Sequence, residues 1–147
     1  MANHAHKQIR DAVVTAVTGL VTTGANVFAN RLYSLADVSL PALRIRLGQE
    51  DATPQSIHAP HVQERVLRLV VEVCAKSDTA LADSIDQISK EVEIALSTAL
   101  NISGVRVQPV YAGCDPQFEI SDKPVSVKPL AFDLAFFTMN NAPDILI

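Results

Sequence analysis

A chain of 147 residues, 48% hydrophobic and 19% charged, falls within the usual size of one domain and has the balance of a folded protein. Its net charge of -4, from 12 Lys and Arg against 16 Asp and Glu, argues against long-range attraction to a phosphate backbone as its main mode of binding. With no Trp, two Tyr and five Phe, the core falls to Val, Leu, Ile and Ala, and no aromatic platform for stacked bases is visible.

The first ten residues carry His4, His6, Lys7 and Arg10 without an apolar stretch, so no signal peptide is expected. No run of eighteen apolar residues predicts a membrane span. From Ile9 to Leu20, the apolar residues Ile9, Ala12, Val13, Ala16, Val17 and Leu20 have the spacing of a helix with one buried face. Thr22, Thr23 and Gly24 suit its exit. A short strand is predicted over Asn26 to Arg31.

After Leu40 and Pro41 the residues alternate, with Leu43, Ile45 and Leu47 on one face and Ala42, Arg44 and Arg46 on the other, as in a half-buried strand. A third strand, Glu64 to Lys76, puts Leu67, Leu69, Val71 and Val73 on the first face and Val66, Arg68, Val70, Glu72 and Cys74 on the second. Between them, 48–63 reads as a loop of about sixteen residues with Pro54 and Pro60, far longer than a hairpin turn and suited to a binding arm.

Helical spacing returns over Asp78 to Leu100, with Leu81, Ile85, Ile88, Val92, Leu96 and Ala99 on one stripe and Asp78 as the cap. Its outer face carries Asp83, Asp86, Glu91 and Glu93, with Lys90 one turn after Asp86. Asn101 to Gly104 is read as the helix end. Strands are predicted over Val105 to Ala112 and Leu130 to Met139, and the link containing Pro116, Pro124 and Pro129 is excluded from a central strand. The order predicts an α+β fold, a single mostly antiparallel sheet of about four to five strands with two helices packed on one face.

The motifs of chemistry are missing. His58 and His61, with His4 and His6, do not have metal-ligand spacing, and no GxSxG elbow, activated cysteine or phosphate loop is present. Cys74 and Cys114 read as buried thiols in a reducing compartment. No enzyme, cofactor or metal is therefore expected. Arg44, Arg46, Arg68 and Glu72 on a half-apolar sheet face read either as a wet surface or as a subunit contact. Asp83 and Asp86 on the helix form a possible counterpart. At the C-terminal tail, 140–147, Ile145, Leu146 and Ile147 are expected to dock on a neighbour rather than fray.

Thr18-Gly19-Leu20, Thr22-Thr23-Gly24, Val27-Phe28-Ala29-Asn30-Arg31 and Leu40-Pro41-Ala42-Leu43 resemble the opening of the minor tail protein U family of lambda-like phages, the tail terminators. Glu72-Val73, Lys90-Glu91-Val92-Glu93 and Pro129-Leu130-Ala131-Phe132 are similar in order and spacing, so the resemblance covers nearly the whole chain. Ser34 departs from it, standing where relatives carry proline after the tyrosine. The resemblance implies a virion protein assembled in the host cytoplasm. It would form a homo-oligomeric ring, typically of six copies, that caps the tail tube, stops its polymerisation and meets the neck. The loop at 48–63, His58 and His61 included, and the tail would reach the tube, the sheath or the neck. A head-to-tail joining protein and a small-ligand binding domain are the alternatives.

Overall fold

The structure is a computed structural model that describes residues 3–29, 40–76, 81–120 and 125–147. The predicted Asp78 cap, the strand end at Asn30 and Arg31, the Ser34 turn and Pro124 lie outside the described residues. In chain order the described elements are α1 (Ala5–Val17), β1 (Val27–Ala29), β2 (Ala42–Pro54), β3 (Val62–Lys76) and α2 (Leu81–Ala95). There follow β4 (Leu100–Ile102), β5 (Val105–Val107), β6 (Pro109–Cys114), β7 (Phe118–Ile120), β8 (Val125–Met139) and β9 (Ala142–Leu146). The main sheet has seven strands in the order β1-β2-β3-β8-β6, with β7 and β9 also on β8. It is mixed, because β1 runs parallel to β2 while the other pairings are antiparallel. The class is α+β, with a larger and more varied sheet than predicted.

α1 begins four residues before the apolar period is evident. His4 caps it, its Nδ1 accepting from the His6 amide at 3.1 Å and its carbonyl accepting from the Lys7 and Gln8 amides, which satisfies amides that a helix start leaves free. The helix ends at Val17 rather than Leu20, and Gly19 follows at φ +89. Ile9, Val13 and Val17 from α1 and Ile85, Ile88, Val92 and Leu96 from α2 share one buried cluster with Leu43, Ile45, Leu67, Leu69, Val71, Leu130, Leu134 and Phe136. These strand residues share one alternation, which defines the core face of the sheet.

Three parts of the predicted layout are corrected. The segment 48–63 is mostly strand, with β2 and β3 paired out to Pro54 and Gln63 and only the turn 55–61 between them. A bulge between Leu47 and Glu50 adds one residue to β2. It inverts the alternation, so that Glu50 rather than Gln49 lies opposite the core-facing Leu67. The helix end at 101–104 is instead the hairpin β4-β5, whose turn residues Ser103 and Gly104 both have positive φ. That is the backbone twist that joins two strands by two residues.

Pro129 stands inside β8, opposite Glu72 of β3. Its carbonyl accepts from the Asp115 amide at 3.1 Å on the other side, between the stretches that β6 and β7 occupy. Since N and O of an extended residue point to the same side, its missing N–H faces that gap and the β3 ladder loses nothing.

Candidate assembly interface

The second alternation of the sheet carries Arg44 and Arg46 from β2, Val66, Arg68, Val70 and Glu72 from β3, and Ala131, Asp133, Ala135 and Phe137 from β8. Register pairs its charges within the chain. Arg44 lies directly opposite Glu72, and Arg68 directly opposite Asp133. The Glu72 carboxylate takes Arg44 Nη2 at 2.5 Å and Arg46 Nε at 2.7 Å, and Arg68 Nε donates to Asp133 at 2.6 Å. Gly48, in the bulge, leaves room for the Arg68 stem, whose Cγ would lie 3.2 Å from a Cβ built there.

This face is not uniformly wet. Glu72 is 8% exposed and the Arg44 side chain 17%, with Arg44 Nε buried and unpartnered. Beside them Cys74 packs with Ala42, Val125 and Val127, and burial pushes its thiol up to about 11. Arg46 and Arg68 remain about half exposed. Phe137 and Val110 are exposed as well, so the open part of the face combines apolar area with arginines that already hold carboxylates. Cys114, expected to be buried, is exposed, because β6 lies along the sheet margin, outside β8.

The acidic stripe of α2 divides in two. Asp86 is exposed and reaches Lys128 of β8 at 3.6 Å, in place of the expected Lys90, and Asp83 is exposed on the same helix. Ile94, also on α2, is 62% exposed. Glu91 belongs to the fold itself, accepting from the Thr22 amide at 2.9 Å and the Thr22 hydroxyl at 2.5 Å. Burial works to raise the Glu91 pKa, but the Thr22 and Gln87 hydrogen bonds together outweigh it and hold the carboxyl below its ordinary value.

Within the chain the C-terminal segment forms a strand of the main sheet. β9 pairs with β8, Leu146 is 7% exposed within the main core, and Ile145 and Ile147 remain outside. Gln8 of α1 donates to the Asp144 carbonyl at 2.7 Å and ties the strand to the helix. His61 is part of the hairpin turn, with Nδ1 2.9 Å from the Ser56 carbonyl, while His58 is exposed at the same tip. Among the described residues no group of three or more His, Cys, Asp or Glu side chains could hold a metal ion, and no helix is long and apolar enough to cross a membrane. Sequence reasoning missed the Asp133 partner of Arg68 and the Thr22 partner of Glu91, since both depend on contacts between distant elements.

No family model matches the chain, and no curated protein matches it. Among solved structures it is similar to a chain in the virion of a native gene transfer agent particle, with 19% identity, a TM-score of 0.54 and 92% of each chain covered. At that identity the likeness shows a shared fold.

Proposed function

We propose that the chain is a structural virion protein, a tail-terminator subunit that closes into a ring, caps the tail tube and offers a platform to the neck. The likeness to a virion chain over 92% of both lengths carries the reading, and the resemblance of the Thr18 to Leu43 blocks to the minor tail protein U family favours a place at the tail. The protein acts by stoichiometric assembly, without catalysis, cofactor or metal.

A ring requires a heterologous contact, in which one patch meets a different patch on the next copy. In this reading both helices lie over the core face, so the open sheet face and the outer face of α2 are on opposite sides of the subunit. The sheet face brings Val66, Phe137, Arg46 and Arg68, and α2 brings Ile94, Asp83 and Asp86. Apolar burial supplies the affinity, and the charges set orientation and partner choice.

Size-exclusion chromatography with light scattering and negative-stain images test this, with the protein alone and with purified tail tubes. Rings on tube ends are expected, and the Asp83→Lys, Asp86→Lys variant should remain folded yet fail to close. Monomers under both conditions would refute the ring. Binding to portal complexes but not to tube ends would replace the terminator with a head-to-tail joining protein.

A further inference from the structure

The end of the β2-β3 hairpin is built as a fixed knob. Its turn is held by Gln55 N–H to the Val62 carbonyl at 2.7 Å, Val62 N–H to Ser56 Oγ at 2.9 Å and His61 Nδ1 to the Ser56 carbonyl. It is braced from the β8-β9 turn, where Asn140 Oδ1 accepts from the His61 amide at 3.0 Å and the Asn140 amide donates to the His61 carbonyl at 2.9 Å. On this knob Ile57 is 90% exposed. An aliphatic side chain held in water on an ordered turn loses little further conformational freedom on docking, the condition under which one buried side chain contributes strongly to binding.

The hairpin residues that flank the tip are acidic, and Arg68, which lines the same hollow as Asp51, already holds Asp133. From Gly48 to Glu64 there is no Lys or Arg, while Asp51 and Glu64 share the open face of the hairpin. Each touches a glutamine amide, Gln49 and Gln55 respectively, which leaves its charge in place. Such flanks disfavour phosphate and anionic lipid and fit a cationic rim.

We propose that the hairpin tip is a docking knob for a second virion protein, one that offers an apolar notch for Ile57 rimmed by Lys or Arg opposite Asp51 and Glu64. The exclusion of another copy of this chain rests on the ring reading above, because there the copies meet through the sheet face and α2, and the strand ends point away from both. The knob is then free for a partner stacked on the ring.

A photo-crosslinking residue at position 57 in assembled particles, followed by mass spectrometry, reads the occupant directly. The expected adduct joins this chain to a different virion protein, at a peptide that combines apolar and basic residues. Ile57→Asp should lower incorporation into particles by about tenfold or more, while light scattering shows an unchanged oligomer. An adduct between two copies, no adduct in particles that contain the chain, or an Ile57→Asp variant that incorporates normally would each overturn the proposal. Absence of the chain from purified particles would instead refute the virion reading itself, and monomers in solution the ring.

Discussion

Replacing Glu72 by Gln removes the one carboxylate that holds both Arg44 and Arg46. Arg46 is about half exposed and recovers its hydration, so it contributes little. Arg44 is different, because its side chain is 17% exposed and its Nε already lacks a partner. Breaking a buried pair from one side costs about 3–5 kcal/mol, and the residual exposure of Arg44 puts the expectation at about 3 kcal/mol. For a chain of this size each kcal/mol moves the melting temperature by about 2–4 °C, which gives a drop of about 6–12 °C. The assay is thermal unfolding of the monomer at low concentration, since assembly would itself stabilise the fold. The double variant Arg44→Met, Glu72→Leu removes both buried charges and should lie within about 1 kcal/mol of the parent. A Glu72→Gln protein that melts within about 2 °C of the parent would refute the reasoning. Arg44→Glu, which sets two carboxylates against each other in this half-dry site, is expected to unfold the chain and is no probe of assembly.

Glu91→Gln should cost about 1 kcal/mol at pH 7 after allowance for partial exposure. The folded carboxyl is held below its ordinary value, so its contribution is present above the unfolded pKa and is lost as pH falls through the folded one. Urea midpoints of parent and variant should therefore differ at pH 7 and converge in acid, and a gap that persists in acid would contradict this. Thiol titration of the native protein should find one fast-reacting cysteine, Cys114, with Cys74 reacting only on unfolding, since its thiolate is suppressed by burial. Ile88→Ala, at a fully buried core position of α2, should lose about 2–4 kcal/mol by denaturant titration.

The helix stripes were legible because Ile9, Val13 and Val17, and Ile85, Ile88, Val92 and Leu96, repeat at 3.6 residues and their burial follows that period. The alternation of β2 was legible only up to Leu47. One inserted residue then moved its core-facing positions from odd to even numbers, and a strand that changes phase reads as a polar loop. Asn101 to Gly104 reads as the end of a helix because a glycine exit and a two-residue hairpin use the same residue types. The rule against proline in a central strand rests on lost hydrogen bonds, and Pro129 escapes it through the gap between β6 and β7. The candidate interface was legible as a face but not as a charge pattern. Arg44 opposite Glu72 follows from the β2-β3 register, whereas Arg68 opposite Asp133 requires knowing that β8 lies beside β3 across 65 residues of chain.

That pairing alters the physical argument for assembly. An arginine face set against an acidic helix would bind mainly by charge and would weaken steeply with salt. Here Arg68 and Asp133 already satisfy each other, and Glu72 answers two arginines, so the face is closer to neutral than its sequence suggested. It exposes Phe137 and Val110 among them. Self-paired charges keep such a face hydrated while the subunit is alone, and they can enter a contact without leaving an unpaired ion behind. In the proposed ring, a sheet face of this kind should hold its neighbour with modest salt dependence, and Arg46, the least buried of the arginines on Glu72, is the charge left to respond to Asp83 or Asp86 of the next copy.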